Sequence, residues 1–433
     1  GTWNWMFLSL IVLSTVIDSI CGLQIHRSND LRKRKLFLFI SMFSNLSLLG
    51  FFKYFNFFVE SLQDLVGCFG VSLDARFMNI ILPVGISFYT FQTMSYTIDI
   101  YRKELEPTNR FFDFALFVSF FPQLVAGPIE RAKRLLPQVL EPRKLHLDPF
   151  YQGCYLIFWG LFLKIFIADN LAPIVDSVFR SAAPYNGAEV LIALYGFAFQ
   201  IFCDFAGYSN IARGLGKCMG FDIMINFNVP YFSTNPPEFW QRWHISLSSW
   251  LRDYLYIPLG GNRDGALKTY RNLALTMLLG GLWHGAAWTF VFWGAYQGAL
   301  LIIHRLCSPW LGKVFAFKNA AARGIWFGVR VVIFFQLVCV GWLIFRAESM
   351  SQIFQMLYSL FFHFHPTGGL ETGSLLFYTG LLIAVQAVQY ATKDLLFIMR
   401  FHPVVRGLFY VLCFYLFILF GATGGKEFIY FQF

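Results

Sequence analysis

Charge is what this sequence has least of. Only 13% of its 433 residues are Asp, Glu, Lys or Arg, against about a quarter in a soluble domain. With 57% hydrophobic residues and a mean hydropathy of +0.56, the composition is that of a membrane protein and excludes an ordinary soluble globule. Acidic residues are the scarcer sign, 24 against 34 Lys and Arg, which leaves a formal charge of +10. The basic residues lie mostly in short loops between apolar runs, the pattern of cytoplasmic loops, so nucleic-acid binding is set aside. No C-x-x-C occurs among the eight Cys. That excludes a zinc ribbon or disulfide framework and leaves small buried hydrophobes, such as Cys154, Cys339 and Cys413. G-x-S-x-G, Walker and G-x-G-x-x-G patterns are also missing. The glycines of "YIPLGGNR" have no Lys-Ser/Thr pair after them, so they form no P-loop.

What is there is aromatic and apolar. The 54 Phe suit contact with lipid, and 20 Tyr with 12 Trp can furnish interfacial belts. A bilayer core of about 30 Å needs roughly 20 apolar residues in a helix. Candidate spans are 3–22, 36–54, 78–98, 150–175, 188–212, 271–303, 325–345, 373–392 and 404–422. Shorter apolar pieces lie at 55–66, 110–126 and 352–364. The expectation is an all-α polytopic integral membrane protein of about ten to twelve embedded helices. It forms one transmembrane domain, 1–433, with membrane lipid as its surroundings and no soluble domain or repeat. The chain starts at Gly1 without a signal-peptide layout, and a further upstream segment is expected.

Loop charge gives a partial topology. Arg32 to Lys35 reads as cytoplasmic, residues 60–76 with Glu60, Asp64 and Asp74 as outer, and residues 102–110 as cytoplasmic again. Residues 130–144 are basic too, so both flanks of 111–129 favour the same side. Between them lie Pro122 and Gly127–Pro128, which fits a re-entrant segment or a kinked span equally. Residues 226–270 are too polar to cross lipid and too aromatic for a solvated loop. Trp240, Trp243, Trp250, Tyr254 and Tyr256 suggest short interfacial helices there. Thr234, followed by Pro236 and Glu238, reads as a helix start.

Ionisable groups inside a membrane are costly, so each is a functional candidate. His284, in "LLGGLWHGAAWTF", is the deepest by sequence, and Asp204 is next. Arg213 and Arg346 sit near span ends and read as snorkelling. His304, His363, His365 and His402 read as interfacial. Gly281 and Gly285, like Gly294 and Gly298, are spaced for close helix packing. Read as one helix, 271–303 places His284 and Trp288 on a shared face. Trp-His occurs twice, at 243–244 and 283–284, so two imidazoles could converge on one cavity. Neither His has Asp, Glu or Cys at ligand spacing, so no metal is expected. Imidazole titrates near neutral pH, and burial favours its neutral form, which suits a general acid–base role. A structural His bonded to a neighbouring helix is the alternative.

"EFWQRWHISLSSWLRDYLYIPLGGNR" (238–263) and "GGLWHGAAWTFVFWGAYQG" (280–298) resemble the membrane-bound O-acyltransferases, and especially their alginate O-acetyltransferase branch. "LPVGISFYTFQTMSYTIDIYR", "FFPQLVAGPIER", "CDFAGYSNIARGLGKCMGFDIMINFNVPY", "FRAES" and "FIYFQF" extend the likeness over nearly the whole chain. The resemblance implies a multi-helix fold with re-entrant and interfacial helices around a central funnel. It makes His284 the catalytic residue and His244 the second signature residue. It further implies an additional N-terminal apolar segment, a cytoplasmic thioester donor such as acetyl-CoA rather than a bound cofactor, and the bacterial cytoplasmic membrane as location. An extracytoplasmic partner of the SGNH-hydrolase type would then acetylate a surface polysaccharide such as alginate or peptidoglycan. His244, Asp253 or Asn262 could orient donor or base, and Arg242, Arg252 and Arg263 could meet phosphates. Trp240, Trp243, Trp283 and Trp288 complete the expected lining. A teichoic acid D-alanyltransferase of the same family is the first alternative. A lipid acyltransferase fits "SLSSWLRDYLYIPLGGNR" less well. A proton-coupled transporter is the alternative from another class.

Overall fold

The computed structural model describes residues 5–71, 80–125, 127–315, 317–366, 369–424 and 428–429. Every regular element among them is helical, and eight helices are long and apolar enough to cross a membrane. The all-α, polytopic expectation therefore holds. Asp74, residues 78–79 of one candidate span and residues 430–433 of "FIYFQF" lie outside the described residues.

The contacts divide the chain into two compact units. The first comprises Gly1–Phe150, Leu215–Met224 and Gly285–Ala287. Its helices are α1 (Trp5–Arg27), α2 (Leu31–Leu49), α3 (Phe55–Gly67), α4 (Ile86–Tyr101), α5 (Phe111–Val118), α6 (Phe121–Leu124) and α7 (Ala132–Leu140). The candidate span 36–54 and the piece 55–66 are one continuous helix, joined by a π-turn at Gly50–Tyr54. Residues 111–129 do not form a continuous span: α5 is about 12 Å long at 1.5 Å per residue, and α6 is a single turn. Phe114, Phe117, Tyr89, Tyr96 and Leu135 fill the apolar core of this unit. A buried polar tie runs across α1, α2 and α4. Asn45 Nδ2 donates to both Asp18 carboxylate oxygens at 3.1 and 2.8 Å, and Ser41 Oγ donates to Oδ1 at 2.6 Å. In the "GPIER" motif, buried Glu130 accepts the backbone N–H of Met224, and Arg134 pairs with Asp222 at 2.7 Å.

The second unit comprises Tyr151–Gly214, Ile225–His284 and Trp288–Phe433. Its helices are α8 (Leu147–Leu161, of which the first four residues belong to the first unit), α9 (Asp169–Phe179), α10 (Gly187–Cys218, of which the last four residues belong to the first unit), α11 (Pro236–Arg242), α12 (Ile245–Leu251), α13 (Ala266–His284), α14 (Trp288–Val314), α15 (Ala320–Arg346), α16 (Met350–Phe362), α17 (Leu370–Thr392) and α18 (Pro403–Phe420). The candidate span 271–303 is corrected here. It is a helical hairpin, α13 and α14, turned at residues 285–287, and only α14 is apolar enough to count as a crossing helix. The two helices run antiparallel in close contact because glycine lies on both facing sides. A Cβ on Gly281 would sit 2.3 Å from the Phe290 carbonyl oxygen, and one on Gly294 would sit 2.4 Å from that of Met277. The small-residue pattern thus closes a hairpin rather than receiving a distant helix.

Several ionisable groups resolve into ion pairs. Asp204 is not a free functional carboxylate. Lys164 Nζ lies 2.6 Å from it and 2.8 Å from Asp169, and its other oxygen accepts the Ile429 N–H at 2.6 Å. Arg346 does not snorkel: it is buried and paired with Asp176 at 2.9 Å. Arg213 is buried as well. Cys154 is exposed rather than buried, whereas Cys339 and Cys413 are buried as expected.

Candidate active site

The polar region 226–270 folds as two short helices and turns, as its composition suggests, but protein rather than interface covers its central residues. Asn235, not Thr234, caps α11: its side chain accepts the Glu238 N–H at 2.9 Å, with Pro236 as the first helical residue. Thr234 instead bonds back to the Glu238 carboxylate. Arg242, at the other end of α11, pairs with Glu238 at 3.1 Å and lies over the Tyr390 ring. Trp243 is 1% exposed and packs on Phe239, Phe227 and Trp342. Trp250 is buried too.

His244 follows, fully buried, in left-handed backbone conformation with φ 43° and ψ 54°. Such a conformation persists in a non-glycine residue only where its surroundings hold it. Here Ile245 N–H donates to the Asn226 carbonyl and Ser248 N–H to the His244 carbonyl, both at 2.9 Å. The imidazole Nδ1 lies 3.2 Å from Asn226 Oδ1, and the Phe205 ring meets it edge to face at 4.6 Å. Nε2 has no hydrogen-bond partner among the described residues. Burial pushes the pKa of this imidazole down to about 3, so the ring is neutral across the physiological range.

His284 is the last residue of α13 and is 6% exposed. Three rings surround it: Trp283 at 5.0 Å, Trp293 of α14 at 5.1 Å and Phe345 of α15 at 5.4 Å between centroids. Trp283 also lies 6.1 Å from the His244 ring, so one indole links the two imidazoles. The indole N–H groups of Trp240, Trp293 and Trp342 are buried and find no acceptor among the described residues. Native interiors satisfy most buried donors, so three unmatched N–H groups among these packed indoles stand out. Trp240 meets Trp293 edge to face at 5.9 Å, and Trp293 stacks on Trp342 at 6.4 Å.

The structure brings His244, His284, Trp240, Trp243 and Trp283 together and leaves the other expected site residues elsewhere. Trp288 does not share a face with His284: it opens α14 beyond the turn and is 58% exposed. Asn262 accepts hydrogen bonds from Tyr256 and from Arg305 on α14. Arg305 is 17 residues past the start of α14, so this group lies about 25 Å along the hairpin from the His284 end. Asn262 therefore cannot orient the base. Arg252 is largely exposed and bonds Asp253 at 2.7 Å, and Arg263 is exposed. Sequence reasoning missed Asn226, Trp293, Trp342 and Phe345. Asn226 sits 18 residues before His244, and only the folded chain pairs them. Among the described residues no cluster of three or more His, Cys, Asp or Glu could hold a metal ion.

Residues 2–345 match the family described as MBOAT, membrane-bound O-acyltransferase. The chain is 46% identical over 360 residues to a protein of Azotobacter vinelandii named "Probable alginate O-acetylase AlgI", covering 83% of this chain and 70% of that protein. It is 36% identical over 384 residues to the "Peptidoglycan O-acetyltransferase" of Helicobacter pylori, with 82% and 70% covered. Similarity to the "Teichoic acid D-alanyltransferase" of Bacillus subtilis is lower, 30% over 284 residues, with 62% and 70% covered.

Proposed function

The chain belongs to the membrane-bound O-acyltransferase family, and from that premise we propose that it moves acetyl groups from a cytoplasmic thioester, acetyl-CoA, toward a cell-surface polysaccharide, with His284 as general base. The transporter alternative is set aside, since the chain is an acyltransferase by family. The observation that carries the proposal is the setting of His284, nearly water-free and enclosed by Trp283, Trp293 and Phe345.

The reaction follows from that setting. An acceptor hydroxyl reaches the imidazole from the outer side, and His284 takes its proton as the oxygen attacks the thioester carbonyl. A C–O bond forms and the carbonyl electrons move onto oxygen. The indole N–H groups of Trp240, Trp293 and Trp342 are the donors available to that oxyanion, and donors in a dry site act strongly. Collapse breaks the C–S bond, and the leaving thiolate takes the proton back from the imidazolium. Placing His284 at the C-terminal end of α13 favours that transient positive charge. The acceptor hydroxyl belongs to an extracytoplasmic SGNH-hydrolase-type partner, which acetylates alginate, peptidoglycan or a similar polymer, in the cytoplasmic membrane of a bacterium. Both similarity to the two O-acetyl enzymes and the lower identity to the D-alanyl enzyme support acetyl over D-alanyl.

The test is reconstitution in liposomes with labelled acetyl-CoA on one face and a purified SGNH-type partner with glycan on the other. Label appearing across the membrane is the expected result. Transfer from a D-alanyl carrier protein, with none from acetyl-CoA, overturns the choice of donor.

A further inference from the structure

The two histidines differ in how their ring nitrogens are committed, and for His244 the hydrogen-bond geometry decides which nitrogen carries the proton. Asn226 Oδ1 accepts from the Ser246 backbone N–H at 3.2 Å. A backbone amide can only donate, so the atom facing it is the oxygen of the Asn226 side chain and not its nitrogen. The same oxygen accepts from Ser246 Oγ at 2.9 Å, while Asn226 Nδ2 donates to Ser209 Oγ at 3.2 Å. His244 Nδ1 faces that fixed acceptor at 3.2 Å. If Nδ1 were unprotonated, two lone pairs would be pressed together in a fully buried place. Ser246 Oγ is also within 3.4 Å of Nδ1, but its shorter contact is to Asn226 Oδ1, so its proton points there.

We infer that Asn226 is a positioning residue: it holds His244 as the neutral tautomer protonated at Nδ1, which leaves Nε2 as a bare lone pair that accepts one O–H or N–H from a bound substrate. The inference deepens the reaction proposed above and rests on it only for the identity of the donor group. His244 Nε2 is buried and has no partner among the described residues, so its acceptor capacity is unspent. Its closest ring neighbours, Phe205 at 4.6 Å and Trp283 at 6.1 Å, carry no charge. The side chains bonding Nδ1, Asn226 and Ser246, are neutral as well. Among the described residues, none of these contacts with the ring favours an imidazolium. The Trp283 ring neighbours both imidazoles, at 6.1 Å from His244 and 5.0 Å from His284 between centroids. The arrangement divides the work: His284 exchanges the proton, while His244, unable to charge, receives a hydrogen bond and aligns the group that gives it. Asn226 does this through His244 and without touching substrate.

The experiment uses the full chain in lipid with ¹⁵N-ring-labelled histidine, and the His244 signals are assigned as those lost in His244→Gln. The expected spectrum is a neutral, Nδ1-protonated ring throughout about pH 5.5 to 8, a range in which a free imidazole titrates. In Asn226→Asp a carboxylate faces Nδ1, so imidazolium appears within that range, and the acetyl-transfer rate gains an acid limb in addition to the one that protonation of His284 gives the parent. A ring protonated at Nε2, or already charged at neutral pH, in the unsubstituted protein overturns the inference without any variant having to fold. So does an Asn226→Asp protein whose spectrum and pH profile match the parent. The spectroscopic outcome does not depend on the base: if His284→Ala kept transferring acetyl, the catalytic proposal would fall and the tautomer would stand.

Discussion

Two Trp-His pairs, identical in sequence, occupy opposite settings. At Trp243–His244 the indole is core, the imidazole is fully buried, and a polar hand of Asn226 and Ser246 grips one ring nitrogen. At Trp283–His284 the imidazole ends a helix, keeps 6% exposure and is ringed by indoles and a phenyl group. The first His sits where a backbone turn with positive φ is pinned by hydrogen bonds. The second sits at the closed end of a glycine-packed hairpin. A dipeptide therefore does not determine a role. What differs is the surroundings of the ring: polar groups on Nδ1 of His244, aromatic rings around His284.

Substitutions at the two sites can break this comparison. The largest effect belongs to His284→Ala, which should lower acetyl transfer by about 10²- to 10⁴-fold, the usual contribution of a general base. Its melting temperature should stay near the parent's, and a labelled acetyl-CoA assay alongside thermal melting checks both. Next comes Gly281→Ala. Its Cβ would meet the Phe290 carbonyl oxygen at 2.3 Å, which forces the hairpin open and costs about 1–3 kcal/mol, the usual penalty of overpacking. Thermal melting should fall and activity with it, because the same wedge moves His284. Trp293→Phe keeps most of the packing but deletes one orphan N–H. It should lower kcat and kcat/KM together with KM little changed, and a raised KM with kcat unchanged would show that the indole binds ground state and transition state alike.

The pH dependence of stability separates the two imidazoles in another way. His244 has a folded pKa of about 3, below its ordinary value of 6.5. The unfolded chain thus binds a proton that the folded one refuses as pH drops below 6.5. The stabilisation is present above that pH and is lost progressively toward 3. His244→Gln should accordingly flatten the decline in melting temperature between pH 7 and about 4.5. The smallest effects belong to Trp288→Ala and Asn262→Ala, which should leave kcat within about twofold. Such surface changes away from the chemistry are usually near neutral. A large loss from Asn262→Ala would contradict the hairpin geometry that sets it far from His284.

Much of this was legible in the sequence because lipid imposes simple rules. Low charge and long apolar runs gave the all-helical, membrane-spanning class, and two Trp-His motifs gave the candidate imidazoles. The hairpin was not legible. Residues 273–303 carry no Asp, Glu, Lys or Arg, and nothing in periodicity marks a turn at Gly285, Ala286 and Ala287. The glycines at 281 and 294 carried the information, but glycine spacing reports close approach without saying to what. Trp288 was misplaced for the same reason, by extending one helix through a turn. Asp204 and Arg346 looked like solitary ionisable groups because their partners, Lys164 and Asp176, are 40 and 170 residues away in the chain. Asn226 was invisible because its role exists only through contacts made by folding.

The most direct test asks whether His284 moves a proton or takes the acetyl group itself. The chain in lipid is mixed rapidly with labelled acetyl-CoA in the absence of any acceptor, and release of CoA and label on the protein are followed together. A general base predicts no burst of CoA and no acetyl-protein, with release starting only when an acceptor hydroxyl is added. A burst of one CoA per protein, matched by one acetyl group on the chain and abolished in His284→Ala, would make His284 a nucleophile and contradict the account.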